Sequence, residues 1–165
     1  MADLADLFRR LSAGVYVIGV ADRERRNAFT AAWLTQVSFE PLLLALSVNP
    51  EHASWPLLLA GGGFLVNVLS REQLDLARHF GTRSGREADK LAGIGWRPGP
   101  SGAPILDGAL AYLDCRLIQR VIAGDHEIVL ARPVAGEILR PDATPLLYVD
   151  TGDLDGSREL YPPSL

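Results

Sequence analysis

Apolar positions along the chain follow two periods, and the switch between them outlines the elements. Leu4, Leu7, Phe8 and Leu11 fall at i, i+3, i+4 and i+7, with Asp3 and Asp6 early and Arg9 and Arg10 late. That spacing predicts a short amphipathic helix whose charges complement its dipole. From residue 14 the pattern changes. Residues 14–21 are rich in β-branched side chains and predict a strand, and residues 22–26 form a charged turn. Residues 27–41 read as strand plus loop, and the continuous apolar run Leu42–Val48 predicts a central strand buried on both faces. Asn49-Pro50 predicts a helix start, with Asn as N-cap and Pro at the first helical position. That helix is expected to run to about Ala60, where Gly61-Gly62-Gly63 ends it. Residues 64–69 predict a strand. Ser70 and Gln73 match a capping box that opens a second helix, with Leu74, Ala77 and Phe80 on its apolar side.

Residues 81–104 carry Gly, Pro, Ser and several charges and predict a long loop, of the kind that serves as a lid or binding loop. Residues 108–121 and 125–139 predict two long strands joined as a hairpin at Ala123-Gly124-Asp125. Pro133 removes a ladder hydrogen bond and predicts an edge or a bulge. Residues 146–149 predict a last short strand, followed by a patternless tail. Strands dominate, and helices do not alternate with them as a doubly wound sheet requires. The expected fold is mainly β: a closed or nearly closed antiparallel barrel with short inserted helices, in a single domain over residues 1–165.

Composition narrows the function classes. Hydrophobic residues make up 48% of the 165 positions, enough for a core and for an apolar surface that a partner subunit would cover. A net charge of −4 creates no field that attracts nucleic acid or anionic membrane. The lone cysteine, Cys115, alternates with Leu113 and Leu117 and is expected in the core. Acidic residues at the N-terminus are unlike a secretory signal, and no apolar run reaches bilayer length, so a cytoplasmic protein is expected.

Candidate chemistry is concentrated in three places. Residues 27–41 combine small Ala28, Ala31 and Ala32 with hydroxyls (Thr30, Thr35, Ser38) and the flat Trp33, around a single ionised side chain, Glu40. Such a stretch suits an uncharged heteroaromatic ring; an ordinary edge strand with a polar face has the same composition. Residues 49–54 would place helix N–H groups, with Asn49, His52 and Ser54, beside an anion. A plain capped helix is the competing reading. Asp125-His126-Glu127 puts a histidine between two carboxylates, which favours its charged form, either for a role on a ligand or as a solvated hairpin residue. Asn67, inside an apolar strand, is expected to satisfy backbone groups. Gly61-Gly62-Gly63 precedes a strand and so is no dinucleotide fingerprint. His52, His79 and His126 lack metal-ligand spacing, and no metal site is expected.

Taken in order, several segments resemble the flavin reductase-like family, whose fold is an FMN-binding split barrel of Greek-key type. Asn-Ala-Phe-Thr-Ala-Ala-Trp-Leu-Thr-Gln-Val-Ser-Phe-Glu-Pro resembles its flavin-ring segment. Leu-Ala-Leu-Ser-Val-Asn with His52 and Ser54 resembles its phosphate segment. Phe-Leu-Val-Asn-Val-Leu, Leu-Ala-Arg-His-Phe-Gly and Gly-Asp-His-Glu-Ile-Val-Leu resemble the later strands, helix and hairpin. The resemblance implies that Thr30, Ala31, Ala32, Trp33, Val37 and Ser38 face the isoalloxazine of FMN, or of FAD or riboflavin. It implies that Asn49, His52, Ala53 and Ser54 lie near the phosphate, Phe80 near the flavin edge, and His126 where nicotinamide stacks. Ala32 stands where related sequences often have Ser, which removes one ring contact. The implied protein is a homodimeric NAD(P)H-dependent flavin reductase, serving a two-component monooxygenase; the alternative is an FMN-binding electron carrier.

Overall fold

The computed structural model describes residues 3–165. Helix α1 (Leu4–Phe8) is capped by the Asp3 carboxylate, which accepts from the Ala5 N–H, and it ends before Leu11. Strands β1 (Tyr16–Asp22) and β2 (Arg25–Ala31) form a hairpin, followed by β3 (Leu34–Phe39) and β4 (Leu42–Val48). Helix α2 (Trp55–Gly61) leads into β5 (Gly63–Val68). A 3₁₀ turn at Arg71–Gln73 precedes helix α3 (Leu74–Thr82), and the Ser70 N–H donates to the Gln73 side chain as a capping box requires. Short strands β6 (Trp96–Pro98) and β7 (Pro104–Leu106) pair with each other, before the long hairpin of β8 (Ala111–Ala123) and β9 (His126–Ile138).

Seven strands make one antiparallel sheet in the order β2-β1-β5-β8-β9-β4-β3. Its two edge strands, β2 and β3, are consecutive in the chain and are joined by Ala32 and Trp33 alone. A sheet whose outermost strands are linked by two residues has to curl until its edges approach. The core records that curl. Phe29 of β2, Ile18 and Val20 of β1, Phe64 and Val66 of β5, Cys115 of β8, Val129 of β9, and Leu44, Leu46 and Val48 of β4 share one buried cluster with Trp55, Leu57 and Leu58 of α2. This is the split antiparallel barrel expected. A second layer lies outside β1 and β2, where Val15, Val17 and Ala28 pack under Ala77 and Phe80 of α3. Exposed apolar side chains gather on the other strands: Phe39, Leu42, Ile118, Ile122, Val134 and Ile138.

Several local expectations hold for the reasons given. Asn67 is fully buried; its Nδ2 donates to the Val17 and Pro104 carbonyls, and its Oδ1 accepts from the Leu106 N–H. Cys115 is buried in the core cluster, and burial pushes its thiol up to about 12. Pro133 sits at a bulge: Asp114 pairs with Ala135 and Cys115 with Pro133, leaving Val134 over, and β4 stops pairing at Ala131. The glycine triplet ends α2 as expected. Gly62 has φ +70°, and a Cβ on Gly61 would lie 1.9 Å from the Ala21 carbonyl oxygen, so the helix end packs directly on β1.

Other expectations are corrected. No helix starts at Pro50. The Asn49 side chain accepts from the Glu51 N–H at 2.9 Å and its carbonyl from the His52 N–H at 3.0 Å, so the chain closes a local turn instead. Helix α2 begins at Trp55 with Ser54 in the capping position. Strand β4 lies next to the β3 edge and is buried only on the side of Leu44, Leu46 and Val48. The long loop is shorter at both ends, because α3 extends to Thr82 and β6 pairs with β7. Around residues 146–149 there is no strand. Leu146 and Tyr148 donate to the Leu69 and Ala13 carbonyls on opposite sides, and the chain then forms a 3₁₀ turn at Tyr148–Thr151.

Candidate functional site

Three depressions form a chain, each sharing residues with the next, and the first lies where the chain crosses from β2 to β3. The first is a recess of about 70 Å³. Its floor is Thr30, Ala31 and Ala32; Ala77 and Gly81 of α3 flank it, and Tyr148, Thr151, Leu154 and Asp155 form the far wall. The Thr30 hydroxyl donates to the Ala77 carbonyl at 2.7 Å, fastening the end of β2 to α3. Trp33 is 56% exposed, an unusual setting for so large a ring. Val37 and Ser38 lie farther along β3, where the register slips between Gln36 and Ser38 and Val37 is the extra residue. Neither lines the recess.

The second depression, a cleft of about 380 Å³, shares Gly81 with the first. Asn49, Glu51, His52 and Ala53 face Thr82, Arg83, Ser84 and Arg86 across it. His52 packs at a tilt against Phe29, with 4.6 Å between centroids, and its Nδ1 accepts from the Ser54 N–H at 3.2 Å, leaving Nε2–H as the donor. Burial, with Lys90 and then Arg86 nearby, pushes its pKa down to about 4, so the imidazole is neutral at pH 7. Two expected residues, Ser54 at the phosphate and Phe80 at the flavin edge, are turned away from the surface. Ser54 is fully buried, and its hydroxyl accepts from Asn27 Nδ2 at 2.9 Å, because α2 starts at the next residue and turns Ser54 inward. Phe80 is 1% exposed and packs in the layer under α3, so its ring presents no ligand surface.

The cleft is completed by residues of the stretch 81–104. Arg83, Ser84 and Arg86 bring two guanidinium groups and a hydroxyl to the cleft. Thr-Arg-Ser-Gly-Arg was a legible signal, since small residues among arginines suit a phosphate. The loop packs closely: a Cβ on Gly85 would lie 2.3 Å from Asn27 Nδ2. Lys90 clasps it from below. Its ammonium donates to the Phe80 carbonyl at 3.0 Å, and its own carbonyl accepts from His79 Nε2 at 2.7 Å. Lys90 is only 2% exposed, and burial lowers its pKa to about 8.

The third depression, about 460 Å³, shares Asn49 and Glu51 with the second and is otherwise lined by Pro50, Ile122, Gly124, Asp125, His126 and Glu127. The β8–β9 turn is Gly124-Asp125, with Gly124 at φ +67°, and it delivers His126 to within 5.0 Å of the Trp33 ring. His126 Nδ1 lies 2.8 Å from Asp125 Oδ1, a bond that holds the Asp125 carboxyl below its usual range. Glu127 pairs with Arg120 at 3.3 Å instead. One flanking carboxylate therefore meets the imidazole, not two.

The exposed Trp33 ring thus has His126 beside it, and the recess at Ala31 and Ala32 opens through Gly81 toward a cleft with two arginines. Residues 8–156 match the flavin reductase like domain. The chain belongs to the flavin reductase-like family. It is 36% identical over 143 residues to the putative diflavin flavoprotein A 3 of Nostoc sp., a match covering 86% of this chain and 25% of that protein. It therefore spans about a quarter of the length of the diflavin flavoproteins it matches. It is 35% identical over 144 residues to the flavin-dependent monooxygenase reductase subunit HsaB of Mycobacterium tuberculosis, covering 87% of this chain and 75% of HsaB. Among solved structures, the NADH:FAD oxidoreductase SgcE6 of Streptomyces globisporus superposes with a TM-score of 0.82 at 30% identity, covering 90% of this chain and 88% of that one. SgcE6 has also been solved in complex with NAD and FAD fragments.

Proposed function

We propose that this flavin reductase-like chain binds FMN and reduces it with NAD(P)H, as the reductase component that supplies reduced flavin to a monooxygenase. The observation that carries the reading is contiguity: the recess shares Gly81 with the arginine-bearing cleft, and that cleft shares Asn49 and Glu51 with the depression that His126 lines. The donor set fits the group. Thr30, Ala31, Ala32 and Trp33 would hold the isoalloxazine, with the backbone near Val37 and Ser38. Asn49, the neutral His52, Ala53, Arg83, Ser84 and Arg86 would hold the phosphate, where two guanidinium groups favour a dianion. FAD and riboflavin present the same ring and differ only in what reaches the cleft.

Bound flavin supplies the hydride acceptor; the chain orients it, excludes water and positions the nicotinamide. His126, half-buried beside Trp33, is assigned to the nicotinamide side as a positioning residue, because hydride transfer requires no protein base. The relatives support the class: HsaB is a monooxygenase reductase subunit and SgcE6 an NADH:FAD oxidoreductase. A homodimer belongs to the same reading, since Phe39, Ile122, Val134 and Ile138 leave an apolar face on β3, β8 and β9. So does a cytoplasmic location, where reduced nicotinamides are found. The deciding experiment is anaerobic mixing of FMN-loaded protein with NADH and with NADPH. Rapid bleaching of the flavin is expected; its absence with both would make the chain an electron carrier.

A further inference from the structure

Lys90 is a buried charge without a counter-charge. Its ammonium donates to the Phe80 carbonyl at 3.0 Å, and among the described residues no carboxylate pairs with it. Every ion pair there takes an arginine or His126 as its cation. Folded proteins ordinarily pair or neutralise a buried charge. The groups around Lys90 do neither. His79 on α3 donates to the Lys90 carbonyl at 2.7 Å, His52 on the cleft wall is neutral at pH 7, and Arg83 and Arg86 of the same segment are cations. The acids of that segment, Glu87 and Asp89, and Glu51 on the cleft wall make no bond to the ammonium; the Asp89 carboxylate accepts from the Leu91 N–H. Yet the ammonium sits beside the cleft. The carbonyl it holds belongs to the Phe80–Gly81 peptide, and Gly81 lines both recess and cleft. After burial, Lys90 depresses the His52 pKa most, ahead of Arg86, which itself lines the cleft.

We propose that Lys90 is a positioning residue whose counter-charge is the phosphate of the bound flavin, the two acting on each other across the Phe80–Gly81 peptide; this rests on the assignment of the cleft to the phosphate. Lys90 lines neither depression, so it acts through the peptide it holds and through its charge. In the free chain burial lowers its pKa to about 8. A phosphate dianion beside it favours the charged form and raises that value in the complex. Below pH 8 Lys90 is charged with or without ligand. Above pH 8 the free chain has lost the proton and the complex regains it, so binding takes up a proton and affinity falls as pH rises. Riboflavin has no phosphate and escapes this linkage. The site thus senses pH toward phosphorylated flavin alone.

The test is calorimetry of FMN and of riboflavin binding at about pH 8.5, in buffers of different ionisation enthalpy, which counts the protons exchanged. FMN is expected to take up about half a proton per site and riboflavin almost none. Between about pH 7 and 9.5 the Kd of FMN should rise about tenfold while that of riboflavin stays nearly level. Lys90→Met and Lys90→Gln, the second of which keeps a donor, should both abolish the proton uptake and flatten the FMN profile. At pH 7 each should weaken FMN about tenfold and leave riboflavin affinity in place, which also reports that the ring pocket is intact. The parent's proton count decides the matter even where a variant fails to fold. FMN binding without proton uptake by the parent, or variants that lose FMN and riboflavin alike, overturns this proposal alone. FMN bound no more tightly than riboflavin by the parent overturns the phosphate assignment with it.

Discussion

Replacing Lys90 with Met would remove a buried charge from beneath the phosphate cleft while keeping most of the side chain's volume. Lys90 is 2% exposed, has one hydrogen bond from its ammonium, to the Phe80 carbonyl, and burial lowers its pKa to about 8 from an ordinary 10.5. The unfolded chain therefore binds more protons at this residue between pH 8 and 10.5 than the folded chain does. The contribution of Lys90 to stability is lowest below pH 8 and rises as pH climbs toward 10.5. A difference of about 2.5 units at 1.36 kcal/mol each makes the charged form cost roughly 3 kcal/mol at neutral pH. Lys90→Met escapes that cost but leaves the Phe80 carbonyl without its donor, which costs about 1–3 kcal/mol. Near pH 7 parent and variant should be close in stability. By pH 10 the parent should have gained about 2–3 kcal/mol relative to the variant. Urea unfolding of both proteins across that range measures the difference directly. Tyr16 and Tyr148, whose pKa values burial raises, titrate in both and cancel. A parent-minus-variant difference that stays flat with pH would refute the buried-charge argument.

Acidification should weaken the fold through His52, whose folded pKa of about 4 lies below its ordinary 6.5; stability falls as pH drops from 6.5 to 4, and thermal melts of His52→Asn should show a flatter profile over that range. Arg86→Ala should weaken FMN binding about tenfold, roughly 1.4 kcal/mol, and leave riboflavin binding nearly unchanged, as read by flavin fluorescence quenching. His126→Ala should raise the KM for the nicotinamide about tenfold with little change in FMN affinity, which stopped-flow reduction and a binding titration separate. Val134→Asp together with Ile138→Asp should convert a dimer into monomers by sedimentation velocity, because both are exposed apolar side chains of β9.

Much of the fold was legible because two periodicities are strong here. The β-branched runs became β1, β5, β8 and β9, and Gly124 and Pro133 marked the turn and the bulge where they occur. What failed had local causes. Asn49 is a good N-cap and an equally good turn former, and the Asx turn won, moving the helix five residues on to Trp55. That shift turned Ser54 inward and removed it from the cleft. Lys90 was invisible because composition places lysine on surfaces, and only the fold brings the Phe80 carbonyl to its ammonium. Arg83 and Arg86 come close to Asn49 and His52 through the packing of Gly85 on Asn27, a long-range contact that no local pattern announces.

The crossing at Ala32 and Trp33 has a further consequence. Strand β2 pairs only with β1, and β3 only with β4, so each keeps one row of peptide groups that no strand engages. The barrel carries a seam, and the candidate ring segment is its lip. A flat heterocycle with hydrogen-bonding edges could lie there as a substitute rung, recognised by main-chain atoms more than by side chains. Recognition of this kind tolerates exchange among small residues at Ala31 and Ala32 but not a change in the path of the backbone. It also makes the ligand part of the wall: when it is bound, amide exchange along both lips of the seam should slow together, although the two strands share no ladder of their own.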